Sequence, residues 1–323
     1  MPSRAAKTVC LALAFCGIAG LSAAQSAARP STAESGDPIR IDAVPVPLNP
    51  QDPSVSSIGD FHYAGGLWLR TPQAPRFHEL SDIVITGQDR LAAVGDGGIF
   101  FSARLVFASD QRLIGISDAR LESLTDERGQ ALTAARADAE GLAIFPNGDR
   151  LVSFERDHRI WLYPAAGGPP RPAPAPAGKL PANAGLEALA LDPAVTADAY
   201  LVGAEMSGET WTCRMAASCV KGPTVDKPAE FGLVAINRLG EDKVVYLLRA
   251  YDPFRGVRIM LQVLRSTTVI AQMDMAVPLT LDNFEGLASV PAADGSTRFY
   301  LLSDDNGSSS QRTLLLAFDW RPK

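Results

Sequence analysis

Histidine is scarce in this chain, with His62, His78 and His158 the whole supply, and several chemistries are missing with it. There is no HExxH segment, no RHG segment, no GxSxG nucleophile elbow and no phosphate-cradling GxxxxGK(S/T) loop. These absences argue against a zinc protease, a histidine acid phosphatase, an α/β-hydrolase and a P-loop enzyme. Gly95-Asp-Gly-Gly98 reads as a turn, because no helical pattern follows it. A basic cluster is lacking too. The balance of 30 Lys+Arg against 36 Asp+Glu gives a formal charge of -6 and no electrostatic reason to bind nucleic acid. An anionic substrate is repelled unless a local site or a bound cation reverses the field. Long apolar runs are absent after the first residues, so no membrane span is expected.

The first residues read as a secretory signal. Arg4 and Lys7 precede the uncharged apolar run Thr8 to Leu21, and small residues end it near Ala24. Removing 1–24 takes away two positive charges and no negative ones, so -6 becomes -8. The expected location is periplasmic or secreted. Residues 25–55, rich in Ser, Ala, Pro and Asp, read as a disordered leader, and 56–323 as the folded domain. Of four cysteines, Cys10 and Cys16 leave with the signal, and Cys213 and Cys219 remain as a short disulfide in an oxidising compartment.

Four segments repeat one pattern of polar or acidic residue, alternating apolar run, turn, second apolar run and acid. They are Ser81–Asp96, Glu140–Glu155, Glu187–Glu205 and Glu285–Asp304. Asn147-Gly148 and Asp294-Gly295 are strong hairpin turns. Centring the turns there sets Glu140 opposite Glu155, Glu285 opposite Asp304 and Ser81 opposite Asp96, roughly 4.5–5.5 Å apart at Cβ. Like charges so placed need a cation, Arg side chains, backbone donors or protonation to offset them. Further strand-like runs fill the gaps, among them Ile99–Val106, Lys243–Arg249 and Val257–Leu264. Four-stranded repeats without helical stretches predict an all-β single β-propeller, with six blades fitting the length best and five or seven allowed. Leu67–Arg70 and Leu314–Trp320 are expected to pair and close the ring. The Pro-rich stretch 164–181 reads as an exposed loop.

ADAEGLAIFPNGDRLVSFERDHRIWLY, NAGLEALALDP, DNFEGLASV and LLSDDN followed by QRTLLLAF resemble the phytase-like family described by esterase-like activity of phytase. The likeness runs from about Phe77 to Phe318. It implies an exported propeller, ester or phosphoester hydrolysis, and kinship in fold with calcium-dependent phytases. By motif match, Glu140, Glu155, Glu187, Glu285, Asp304 and Asn306 occupy the recurrent positions. The sequence departs at Ser81, where later hairpins carry Glu.

If the acidic strand ends converge, Asp82, Asp96, Glu140, Glu155, Glu187, Glu205, Glu285, Asp304 and Asp305 share one basin. Asp96, Glu140, Glu187, Glu205, Glu285 and Asp304 are then metal-ligand candidates, with calcium the cofactor because it takes six to eight oxygen ligands at about 2.3–2.6 Å. Glu140, Glu155 and Glu285, with His158 as general base, are the catalytic candidates. Arg136, Arg156, Arg255 and Arg312 are candidates to hold a small ester or phosphate substrate. The bland alternative is architectural: each Glu caps backbone N–H groups or pairs with Arg because blades repeat. Two other functions remain open, a non-catalytic propeller binding a small ligand or envelope protein, and a lactonase-type propeller with one metal; in each case a monomer is expected.

Overall fold

The computed structural model describes residues 36–133, 136–177 and 185–322, and no helix occurs among them. No helix is long and apolar enough to cross a membrane among the described residues. The signal segment lies outside them.

Five antiparallel sheets follow one another along the chain. Blade I is Leu80–Thr86, Arg90–Gly95, Ile99–Phe107 and Leu113–Ser123. Blade II is Ala139–Ile144, Arg150–Phe154, Ile160–Tyr163 and Arg171–Ala173. Blade III is Ala188–Leu191, Ala199–Gly203, Thr210–Arg214 and Val220–Lys221. Blade IV is Gly232–Leu239, Lys243–Asp252, Gly256–Arg265 and Thr268–Met275. Blade V takes Asn283–Pro291, Thr297–Asp304 and Thr313–Trp320 from one end of the domain and Phe61–Arg70 from the other. Each blade's first strand packs on that of the next, and Asn283–Pro291 returns to Leu80–Thr86.

The apolar residues explain why the ring closes. Buried side chains form five wedges, each between two adjacent blades. Phe154, Trp161 and Val152 of blade II meet Val94 and Phe100 of blade I. Phe61, Phe299 and Trp320 of blade V meet Leu247 and Leu261 of blade IV. A blade has two apolar faces and buries both only when flanked on both sides, so a ring is the consistent solution. The expected pairing of the terminal runs is present, from Thr313↔Leu69 to Trp320↔Phe61.

The blade number is five, within the expected range of five to seven and one below the best fit to length. Blade IV consumes the longest gap with strands of 8 to 10 residues. The N-terminal strands also extend existing blades. The leader expected over 25–55 is ordered from Gly36 onward: Asp37–Pro38 pairs with Leu113–Ser123, and Asp42–Pro45 with Phe61–Arg70. Ile39, Ile41 and Ala43 pack on the V–I wedge, a short apolar alternation that the surrounding prolines disguise. Arg171–Ala173, inside the stretch expected as a loop, is the outer strand of blade II. A proline-bearing edge strand is compatible with β structure because its missing N–H faces outward. The Cys213–Cys219 disulfide is formed.

Candidate functional site: an acidic basin at one end of the channel

The hairpins place their acids by a route different from the one the turns suggested. Loops of three residues, with Gly148 at φ 90° and Gly295 at φ 81°, replace two-residue turns. Register therefore runs Ser153↔Gly141 and then Phe154↔Ala139, which leaves Glu140 as the extra residue of a β-bulge. Ser81, Val234 and Glu285 occupy the same bulge in blades I, IV and V. In blade III the slip falls between Ala188↔Gly203 and the Glu205 N–H bond to Gly185 O, which puts Glu187 there. A bulge re-aims one side chain while the strand continues. Past it, the second strand delivers Asp96, Glu155, Glu205, Arg249 and Asp304. Their strand partners are Glu79, Asp138, Gly185, Gly232 and Asn283, not the acids expected.

The same geometry explains the repeated Glu-Gly pair. A Cβ on Gly141 would sit 2.6 Å from Leu189 Cβ, and one on Gly286 would sit 3.1 Å from Ile83. The bulge Glu can point inward only if the next residue lets the neighbouring blade close in. Blade I has Asp82 at that position. Its buried carboxylate accepts the N–H of Ile83 at 2.8 Å and of Leu142, in blade II, at 2.8 Å. Burial pushes Asp82 well above the usual carboxylate range. Asp82 is thus a pin between blades. Asp305 is similar, accepting the N–H of Glu79 at 2.9 Å and the hydroxyl of Thr313 at 2.9 Å.

Arg249 divides the basin. It occupies in blade IV the position that is acidic in the other four, and its guanidinium donates to Glu285 and, at 3.3 Å, to Glu205. Asn283 donates a further bond to Glu285 at 2.9 Å. Burial alone would lower Arg249, but Glu285, Glu187 and Glu205 outweigh it and hold it above its ordinary value. Glu187 is raised well above its usual range by burial and by Glu205, against the pull of Arg249. This half carries its own counter-ion.

The other half has only the half-exposed Arg156 at its edge and no buried cation among the described residues. Oxygens of Asp96, Asp138 and Glu140 all lie within 4.8 Å of one another. Burial, aided by Glu285, Asp138 and Glu79 and opposed by the 2.6 Å Ser81 hydroxyl bond, pushes Asp96 to about 7. Glu140 is raised well above its range by burial and then by Asp96, Glu187 and Glu285. Asp138, also raised by burial, has Arg156 at 2.5 Å as its single ion-pair partner among the described residues. Asp304 is pushed to about 9 by burial and by Glu285, although Asn306 N–H donates to it at 2.6 Å. A 340 Å³ pocket opens beside the cluster between Glu79, Asp96, Asp138 and Arg156. Strained backbone gathers here as well: of seven non-glycine residues at positive φ, Glu79, Arg156, His158 and Asn306 lie in loops at this end. The opposite mouth of the channel is a 520 Å³ cavity walled by aliphatic residues such as Ile83, Leu142 and Leu189, and holds none of these acids.

Of the sequence candidates, Asp96, Glu140, Glu187, Glu205, Glu285 and Asp304 surround this basin, and Arg156 enters it through Asp138. Glu155 stands beside Asp138 and is raised by burial. Arg255 is taken up by Asp252 within its own loop, and Arg312 by Asp282 and the Leu281 carbonyl. Arg136 lies over the Trp161 ring, its centre 5.1 Å away. His158 makes no hydrogen bond to a basin carboxylate among the described residues. Asp138 and Arg249 were missed. Asp138 was hidden two residues before a more conspicuous Glu, and Arg249 was visible as a single charge inside the apolar run Val244–Ala250.

No curated protein matches the sequence. Solved structures with a similar outline include virginiamycin B lyase from Staphylococcus aureus, 10% identical over 86% of this chain and 99% of that one, TM-score 0.43. Another is the allergen Mala s 1 of Malassezia sympodialis, 13% identical over 86% and 92%, TM-score 0.44. Residues 75–307 match the family described as "Phytase-like: Esterase-like activity of phytase". With bulge, glycine and acid recurring around a five-bladed ring, the chain belongs to this phytase-like family of β-propellers.

Proposed function

We propose that this protein is an exported hydrolase of small esters or phosphoesters, working at the acidic end of its propeller with a bound calcium ion. The observation that carries this reading is the Asp96–Asp138–Glu140 cluster, which lacks the internal cation that Arg249 supplies to the other half. The donor set is all oxygen, without histidine or thiolate, which suits a hard cation. A bound calcium supplies Lewis-acid polarisation of the substrate oxygen and offsets the charge of its ligands.

The chain's own residues do the rest. Asp96, oriented by the Ser81 hydroxyl at 2.6 Å, can accept a proton from the attacking water. The proton that Asp96 accepts is returned to the leaving oxygen. Arg156 is more than half exposed and can swing from Asp138 to an anionic substrate oxygen. Export rests on residues 1–24 and agrees with a bridged cysteine pair in an oxidising compartment.

The test joins calcium titration to turnover. Thermal melting in EDTA and in calcium should show a rise with the metal, by mass action on the folded state. Chromogenic acetate and phosphate esters should be cleaved by the wild type. Glu140→Gln combined with Asp138→Asn should lose both the rise and the turnover. Equal melting midpoints with every divalent ion would sink the metal-assisted reading, and a calcium rise without turnover would assign the basin to ligand binding alone.

A further inference from the structure

The rim of the basin is uneven, and the unevenness bears on what the basin admits. Loops joining second to third strands surround it. Those of blades I, II and V are polar: Gly97-Gly98, Arg156-Asp157-His158 and Ser308-Ser309-Ser310. Blades III and IV differ. Met206 directly follows Glu205 and is 55% exposed, while Tyr251 and Phe254 are 70% and 99% exposed.

The blade IV loop also reaches further. Its pairing continues past Arg249 through Ala250↔Arg258, Tyr251↔Val257 and Asp252↔Gly256. The blade II and III hairpins turn at once after Phe154 and Ala204. At ~3.3 Å per residue, three more residues carry the blade IV tip roughly 10 Å beyond Arg249. Strand alternation sets Tyr251 on the same face of the blade as Arg249, at the basin's end. The tip is held, not loose: Asp252 Oδ1 accepts the N–H of Phe254 at 2.8 Å and of Arg255 at 2.9 Å.

An aromatic side chain carried in open water on a hydrogen-bonded tip at the basin's end is arranged for contact, since the backbone that bears it is ordered before any ligand arrives. Binding sites combine an apolar wall for area with a few polar groups for orientation. The floor matches the rim. Beneath the apolar side Arg249 neutralises its carboxylates, and beneath the polar side lies the Asp96–Asp138–Glu140 cluster. A ligand with its hydrocarbon part against Phe254, Tyr251 and Met206 therefore presents its polar end to the cluster.

We propose that the blade IV hairpin tip, with Met206 of blade III, is an apolar subsite of the basin that selects esters with a medium-length acyl chain or an aryl group over small polyanions. This rests on the hydrolase reading for its chemistry. In that reaction water forms the new acyl C–OH bond as the acyl C–O bond to the alcohol breaks, and the alcohol departs with the proton.

Two measurements keep the subsite and the hydrolase separable. The first is kcat/KM for 4-nitrophenyl octanoate relative to 4-nitrophenyl acetate, in calcium. The wild-type ratio should fall roughly tenfold in Phe254→Ser, equivalent to about 1.4 kcal/mol, and further with Met206→Ser. Val220→Ser, 67% exposed on the outer strand of blade III, should leave it unchanged. An unchanged ratio in both rim variants overturns the subsite. The second is calorimetric titration with uncleavable N-octylacetamide. Binding that Phe254→Ser weakens supports the subsite even if neither ester is hydrolysed, which alone would count against the hydrolase. Binding equal in wild type and variant overturns the subsite even if both esters are cleaved.

Discussion

Replacing Arg249 by methionine tests the division of the basin directly. Methionine keeps much of the length and removes the charge, so Glu205 and Glu285 lose their guanidinium and Glu187 its nearest cation. The Arg249, Glu205 and Glu285 side chains are 19%, 13% and 15% exposed, so water screens the loss poorly. Removing one partner of a mostly buried ion pair costs about 3–5 kcal/mol. At about 2.1 cal/mol/K of unfolding entropy per residue, that is a drop of about 5–8 °C in melting midpoint for a domain of this size. The loss should be uneven across conditions. Acid protonates the stranded carboxylates and restores part of it, and calcium should do the same by taking the place of the guanidinium. Scanning fluorimetry of wild type and Arg249→Met at pH 5 and pH 8, each in EDTA and in calcium, reads all of this. The expected pattern is a large drop at pH 8 in EDTA, a smaller one at pH 5, and a calcium gain larger in the variant. Should the variant fail to fold in EDTA, recovery on refolding in calcium reports the same compensation. A variant that melts with the wild type at pH 8 in EDTA would refute the idea that these acids depend on one internal cation.

Other outcomes follow from the same charges. Asp96 at about 7 and Asp304 at about 9 lie above the unfolded value, so the folded state holds more protons and this contribution to stability falls as pH rises through those values. In EDTA the midpoint should decline from pH 5 to pH 9, and calcium should flatten the decline; a midpoint that climbs over that range contradicts the raised values. Asp82→Ala strips the acceptor from the Leu142 amide, and an orphaned buried N–H costs about 1–3 kcal/mol. Urea denaturation should show that loss without any change in calcium response, because Asp82 pins blades and does not face the cluster.

Much of the ring was legible from residues. Alternation, turn glycines and the recurring Glu-Gly pair point to stacked antiparallel blades, and the two terminal apolar runs point to closure. The register was not legible, because a three-residue loop and a bulge each shift pairing by one, and neither leaves a strong mark in composition. That shift exchanged the expected acid pairs for Glu155 with Asp138 and Asp304 with Asn283. Arg249 was overlooked for a related reason: its equivalence to Asp96, Glu155, Glu205 and Asp304 appears only once the strands are aligned. Five blades form where six fitted the length best, because N-terminal strands widened two sheets instead of building another.

Blade V is assembled from strands separated by almost the whole described chain. Until Thr313–Trp320 has been made, Phe61–Arg70 has no neighbour on that side, and blades I and IV each keep one apolar face in water. Contacts so distant in sequence slow folding. Through synthesis the chain remains an open arc with bare strand edges, vulnerable to sticking to its own copies. Glu285 and Asp304 belong to that last blade, so the acidic basin is complete only once the ring has shut.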